Sequence, residues 1–158
     1  MKNKVLLVIL ALFTLLAVLL VALVSDSGKS KSANLRISCG NMEKTFRVEL
    51  AENMFSRSGG LSNRENICKD DVCGMLFVFE KSGNHGIWMK DMNFPLDVVF
   101  IDENGTIIEF ASMEPCEKAR ECPTYVPKSP SKYVLEMQKG FVEECNIDIG
   151  EKIFIEKK

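Results

Sequence analysis

Charged side chains set into apolar sequence are the groups in this chain that chemistry would use. Between Gly74 and Phe110 the runs Met75–Phe79, Ile87–Met89 and Val98–Ile101 are interrupted by Lys90, Asp91, Asp97 and Asp102. A charge buried without a partner costs several kcal/mol, so these groups must sit at strand ends or pair. Trp88-Met89-Lys90-Asp91 followed by Pro95-Leu96-Asp97 places two strand ends around a short turn. That arrangement gathers Lys90, Asp91 and Asp97 at one rim, within reach of Arg57 or Arg64. A planar guanidinium suits a carboxylate or a phosphate, so Arg57, Arg64, Trp88, Lys90, Asp91 and Asp97 form the candidate ligand-binding set. The same residues also read as a structural network in which Asp97 satisfies backbone N–H groups and pairs with an arginine. Lys90 beside two carboxylates is held charged, the opposite of what a nucleophilic lysine needs.

Other chemistry has less to work with. Asp91, Asp97, Asp102 and Glu136 offer acid and base for hydrolysis of an envelope polymer or a sugar, which requires two carboxyls about 5–9.5 Å apart across an open cleft. His85 is the single histidine and stands in a Gly- and Asn-containing loop; with no recognisable nucleophile–base pair, no catalytic residue is named. Cys68, Cys73, Cys116 and Cys122 carry a second reading as a four-thiolate zinc site, and His85 with Met89 and Met92 would suit Cu(I). Against both, the cysteines read as disulfide partners and the methionines as core filler. No cofactor is expected. The net charge is −2, and without a basic run carrying interleaved aromatics no nucleic-acid partner is expected.

Several elements must position these groups. Lys2 and Lys4 precede an apolar run from Val5 to Val24 broken only by Thr14, long enough as a helix to cross a hydrocarbon core of about 30 Å. Residues 1–24 therefore read as an N-terminal transmembrane anchor, or as a signal peptide if cleaved. Residues 25–33, SDSGKSKSA, read as a flexible tether, and residues 34–158 as one domain. All six cysteines lie beyond the apolar run, an even number that fits disulfides in an oxidising compartment. The expected placement is thus a single-pass membrane protein with its C-terminal domain outside the cytoplasm, secreted if the first segment is cleaved. Chain proximity favours Cys68 with Cys73 and Cys116 with Cys122, which leaves Cys39 and Cys145 to join the two ends of the domain.

Within the domain, short alternating runs at Asn34–Ser38, Thr45–Leu50, Tyr133–Gln138 and Lys152–Glu156 join the three central ones as strands. Glu52–Leu61 and Phe141–Cys145 read as short helical turns, and Asn104-Gly105 as a hairpin turn. Glu114–Ser131, with four of the five prolines, is a long irregular loop of the kind that is uncommon unless stapled or functional. The fold class is all-β with one or two short helices, a compact sandwich or barrel preceded by a single transmembrane helix.

A family resemblance runs through the same residues. Arg57-Ser58-Gly59-Gly60-Leu61-Ser62-Asn63-Arg64, Gly74-Met75-Leu76-Phe77-Val78-Phe79, Trp88-Met89-Lys90-Asp91, Pro95-Leu96-Asp97, Phe100-Ile101-Asp102, Val134-Leu135-Glu136, Gly140 and Ile149-Gly150-Glu151 occur in that order. This succession resembles the DUF192 family of small, often exported or membrane-anchored domains over most of residues 45–155. The resemblance implies a compact all-β sandwich or barrel and implies no activity, because none is assigned to the family. The chain departs from the pattern at Asp91, where the family usually has Asn, and at Gly150-Glu151, where it usually has Gly-Asp. These readings lead to the expectation of a membrane-anchored, extracytoplasmic binding or scaffold module of the cell envelope that takes a small polar or envelope ligand. A hydrolase acting through the carboxyls and a zinc or copper carrier are the alternatives.

Overall fold

Residues 12–16, 31–116 and 121–157 are described in the structure, a computed structural model. The chain divides into two units, Met1–Ser30 and Lys31–Lys158. The second unit contains β1 (Ser32–Cys39), β2 (Met42–Ala51), α1 (Met54–Gly59), β3 (Cys68–Lys69), β4 (Val72–Cys73), β5 (Met75–Gly83) and β6 (Ile87–Trp88). It continues through β7 (Leu96–Ile101), β8 (Ile107–Met113), β9 (Thr124–Tyr125), β10 (Ser131–Gln138), α2 (Phe141–Cys145) and β11 (Ile153–Lys157). Seven strands form one sheet in the order β11-β1-β2-β5-β10-β7-β8. The structure is mostly β-sheet with few short helices.

The sheet curls until its two edges meet. Thr106, just before β8, bridges Lys152, just before β11, and the Ile107 N–H donates to the Glu151 carbonyl at 2.8 Å while the Ile153 N–H donates to that of Gly105, also at 2.8 Å. Gly105 has φ +78, and a Cβ there would lie 2.6 Å from the Ile153 carbonyl oxygen, so the closure depends on glycine at the hairpin tip. Alternate residues of the strands face inward, where Leu35, Ile37, Val48, Leu76, Val99, Ile101, Leu135 and Ile153 pack into one core. α2 closes this inner core with Phe141 and Cys145. The intervening residues, Met75, Phe77, Leu96, Val98, Phe100 and Val134, face outward into a second core. Strand β7 is consequently buried along its whole length, which explains its unbroken apolar sequence.

The outer core is covered by connections rather than by another sheet. β2 and β5 pair in parallel, and parallel neighbours need a long crossover. Residues 52–74 supply it, laying α1, Leu61 and Ile67 on the outer face. The β6-containing connection adds Ile87, Met89, Met92 and Phe94, and the next one adds Tyr125 from β9.

The expected transmembrane helix is not supported. Among the described residues no helix is long and apolar enough to cross a membrane. The run from Val5 to Val24 contributes helical residues 12–16, and the rest of it lies outside the described residues. A single-pass topology, a membrane partner and an extracytoplasmic location therefore find no support in the structure. An apolar composition measures tolerance of hydrocarbon, whereas a span needs a continuous helix of about 20 residues. Cysteine pairing does not restore the compartment, because intracellular proteins of hyperthermophiles are also rich in disulfides. Of the expected tether, residues 25–30 lie outside the described residues, while Ser32 and Ala33 already belong to β1, where Ala33 is buried.

The cysteines form three disulfides, Cys39–Cys145, Cys68–Cys73 and Cys116–Cys122. The first ties the end of β1 to α2 across a sequence separation of 106, whereas the second closes the β3–β4 hairpin across a separation of 5. In the chain-entropy description their removal costs about 4–5 and about 2 kcal/mol respectively. The double substitution Cys39→Ser with Cys145→Ser should lower the urea-derived stability by roughly twice as much as Cys68→Ser with Cys73→Ser. Equal losses would show that the stabilisation does not follow the length of the loop each bridge closes.

Candidate functional site

A capping box starts α1: the Ser56 N–H donates to Asn53 Oδ1 at 2.9 Å and the Asn53 N–H donates to Ser56 Oγ at 3.2 Å. No residue of α1 is buried, so its apolar contacts do not anchor it. Arg57 does that, donating from Nη1 to the carbonyls of Glu52 at 2.8 Å and of Val78 on β5 at 2.9 Å. Its guanidinium lies 5.1 Å from the centre of the Phe79 ring. After the helix, residues 62–64 run beside residues 90–93. Ser62 Oγ donates to the Lys90 carbonyl at 3.0 Å, the Asn63 N–H to that of Asp91 at 2.7 Å, and Asn93 Nδ2 to that of Arg64 at 2.9 Å. Asn63 and Asp91 both adopt left-handed backbone, with φ of 59 and 58, a conformation that Asn and Asp tolerate better than most residues.

Between these connections and the sheet lies a cavity of about 280 Å³. Its walls include Leu61, Phe77, Phe79, Trp88 and Met92, Arg57 also lines it, and Glu136 faces it from β10. Glu136 is only 5 % exposed. In register it lies between Met75 of β5 and Val98 of β7, both buried. No hydrogen bond from the described residues reaches its carboxyl. Burial pushes its pKa from 4.5 up to about 8, and the charge of Arg64 offsets only part of that rise.

Glu49, two strands away on the same face, shows the alternative. It is also buried, but Arg64 holds both its carboxylate oxygens, with Nη2 donating to Oε2 at 3.1 Å and Nη1 donating to Oε1. One acid of the outer face is thus paired, and the other is left facing a cavity.

The structure brings five of the six candidate ligand-binding residues to this side. Arg57 and Trp88 line the cavity. Trp88 is 49 % exposed and carries the Lys90 ammonium 5.5 Å from its ring centre. Arg64 is committed to Glu49, and Asp91 is an exposed turn residue whose carbonyl receives Asn63. Asp97 is turned away from them. Strand alternation sends it inward with Val99 and Ile101, where it accepts from Ser112 Oγ at 2.5 Å, the Gly140 N–H at 2.9 Å and the Val142 N–H at 3.0 Å. It holds the start of α2.

The geometry of the described residues does not favour the hydrolase and metal-carrier alternatives. Asp97 is sealed on the inner face, Glu136 lies under the outer connections, and Asp102 accepts the Asn104 and Thr106 N–H groups of its own hairpin loop. These three carboxyls do not share an open cleft, and Asp91 is an exposed turn residue. All six cysteines are oxidised to disulfides, so none is available as a thiolate ligand, and among the described residues no group of three or more His, Cys, Asp or Glu side chains is placed to hold a metal. His85 is stacked on Phe79, ring centres 3.5 Å apart, and donates from Nε2 to the Lys81 carbonyl at 3.0 Å. Met89 and Met92 are packed in the outer core.

A curled seven-stranded sheet with one outer face wrapped by its own connections defines a small β-barrel domain. The chain belongs to the DUF192 family (Uncharacterized ACR), which its residues 36–155 match. It is 30% identical over 111 residues to a UPF0127 protein of Thermococcus sibiricus, covering 69% of this chain and 66% of that one. A UPF0127 protein of Pyrococcus furiosus is 28% identical over 117 residues, covering 70% of this chain and 89% of its own length. Among solved structures, a "putative transcription regulator" from Sinorhizobium meliloti 1021 is similar with a TM-score of 0.70 and 28% identity, covering 80% of this chain and 96% of that one. A protein of unknown function from Novosphingobium aromaticivorans shares the fold with a TM-score of 0.66 and 23% identity, over 77% of this chain and 83% of its own.

The raised affinity of Glu136 for its proton has a measurable sign. The folded carboxyl keeps the proton up to about pH 8, whereas the unfolded one loses it near 4.5. The native state therefore binds more protons across that window, and the stability present at low pH is lost as pH rises through it. Glu136→Gln keeps the shape and removes the titration. Between about pH 5 and about pH 8 the wild type should lose a few kcal/mol relative to this variant, at ~1.4 kcal/mol per unit, in urea unfolding followed against pH. Parallel curves would mean that Glu136 ionises in the folded protein as easily as in the unfolded one.

Proposed function

We propose that this domain acts by holding a small molecule in the outer-face cavity, with Glu136 at the inner end and Trp88 at the mouth. The observation that carries the reading is Glu136 itself, a buried carboxyl with no hydrogen-bond donor or acceptor supplied by the described residues, facing a cavity with aromatic and aliphatic walls. A ligand seated in the cavity can hydrogen-bond this carboxyl where the fold does not. An apolar cavity with a small number of fixed polar groups is the usual form of a small-molecule site. The untouched guanidinium nitrogens of Arg57 supply a second polar contact, because only its Nη1 is engaged by the two carbonyls.

Trp88 is the single tryptophan of the chain, so its emission reports occupancy directly. A library of small aromatic and aliphatic fragments should contain binders that shift this emission saturably. Ser58 is an exposed cavity-lining residue of α1, and Ser58→Phe places a ring across the mouth without altering the core. It should weaken those binders by about tenfold or more, equivalent to about 1.4 kcal/mol. Saturable binding that Ser58→Phe and Glu136→Gln both leave unchanged would move the site elsewhere, and a library without a single binder would remove the reading.

A further inference from the structure

Resting on the cavity being a ligand site, we propose that its occupant is a small organic carboxylate, bound through its charge by Arg57 and Lys90 near the mouth and through its apolar body by Phe77, Phe79 and Met92. The argument is one of local charge. Five charged groups besides Glu136 stand at this face, Arg57, Arg64, Lys90, Glu49 and Asp91, and Asp91 is an exposed turn residue. Arg64 and Glu49 neutralise one another through a two-point pair. Arg57 is fixed by the Glu52 and Val78 carbonyls, which hold the guanidinium without neutralising it. Lys90 lies over Trp88. Among the described residues no carboxylate forms an ion pair with either Arg57 or Lys90. Asp97 does not compensate them, because it faces the opposite side of the sheet and holds α2.

Glu136 holds its proton at neutral pH, so the cavity and its rim carry a surplus of positive charge. An anion is favoured there, and a cation would have to pass two like charges and then displace the Glu136 proton. Cation–π attraction to Trp88 does not reverse this preference, since it is weak at an exposed ring and that ring already carries the Lys90 ammonium. A carboxylate also matches the free edge of a guanidinium, the stronger class of hydrogen bond. The protonated Glu136 then serves as a donor to an uncharged acceptor at the inner end of the ligand. The cavity volume of about 280 Å³ lies at the small end of ligand sites and limits the ligand to about the size of a substituted benzene carrying a short acid chain.

Three probes with one apolar body separate the outcomes: 3-phenylpropionate, 3-phenylpropanol and 3-phenylpropylamine, titrated against Trp88 emission at neutral pH. The propionate should bind about tenfold tighter than the alcohol, with the amine weakest. Arg57→Gln should abolish the advantage of the propionate over the alcohol. Arg57 also ties α1 to β5, so Lys90→Gln, which removes no side-chain hydrogen bond, provides an independent variant and should lower the preference several-fold. Equal binding of propionate and alcohol overturns the carboxylate assignment, as does tightest binding of the amine with an affinity that grows as Glu136 ionises. Failure of all three probes, while other fragments bind and are blocked by Ser58→Phe, overturns the carboxylate assignment alone. Absence of any Ser58→Phe-sensitive ligand overturns the cavity reading with it.

Discussion

The register of β10 between β5 and β7 is the constraint on which the rest of the domain depends. β10 pairs antiparallel with both neighbours, and each of the three strands has one face in the inner core and the other in the outer core. A slip of one residue would exchange those faces and send Leu135 and Met137 outward while bringing Glu136 into the closed interior. The penalty for such a slip is large because both faces are buried along Met75–Phe77, Leu96–Ile101 and Val134–Met137. The same register fixes Asp97 opposite Met137 and Glu136 opposite Val98, so it decides both what holds α2 and what faces the cavity. Gly74, just before β5, belongs to this constraint. It has φ +104, and a Cβ there would lie 2.6 Å from the Glu136 carbonyl oxygen and from the Met137 sulfur, so β5 begins against β10 only because the residue has no side chain.

The parallel β2–β5 pair then creates the site. A hairpin would have returned the chain within a few residues, but parallel pairing obliges it to travel the length of the sheet before re-entering. The crossover lies across the outer face and meets the β5–β7 connection there, where Ser62 and Asn63 join Lys90 and Asp91 through side-chain and backbone hydrogen bonds. Two irregular segments that lock to each other cannot also fill every space above a pleated sheet, and the cavity over Phe77 and Glu136 is the space they leave. Its mouth is partly exposed, with Met54 and Trp88 at 69 % and 49 % exposure.

Much of this was legible in the sequence, and the illegible part has identifiable causes. The strand around Val98–Ile101 was readable because an unbroken Val/Phe/Ile run can only be buried on both faces. The two local cysteine pairs follow from chain proximity, and Cys39 with Cys145 from what remains. Arg57, Trp88 and Lys90 were readable as one neighbourhood from their charge and spacing, but Asp97 was grouped with them because sequence proximity to Asp91 does not reveal to which side of a strand a residue points. Pro95 and Leu96 intervene, and the parity of the strand settles the matter. The N-terminal run reads as a span by its composition, but only its residues 12–16 are described, and among the described residues no helix is long and apolar enough to cross a membrane. Glu136 entered the sequence reading only as one carboxyl among four. The signal that would have raised it was present in Val134-Leu135-Glu136-Met137, where apolar residues occupy both parities. A glutamate in such a strand is buried whichever face it takes.

Asp97 and Glu136 together show how the fold separates a structural acid from an available one. Both are nearly inaccessible to solvent, at 1 % and 5 % exposure, and they sit on adjacent strands. Asp97 receives one hydroxyl and two backbone N–H groups, so its charge is distributed over donors that the fold itself must satisfy at the start of α2. Glu136 receives none and keeps its proton instead. If β10 needed only cohesion at this position, an aliphatic side chain of similar volume would supply it without the desolvation cost, since well-packed apolar replacements of buried polar groups are often neutral or stabilising. A carboxylic acid held neutral, with no hydrogen bond from the described residues, can in its protonated form both donate and accept. That capacity is directed into the cavity bordered by Arg57 and Trp88, away from the inner core that α2 and Cys39–Cys145 close.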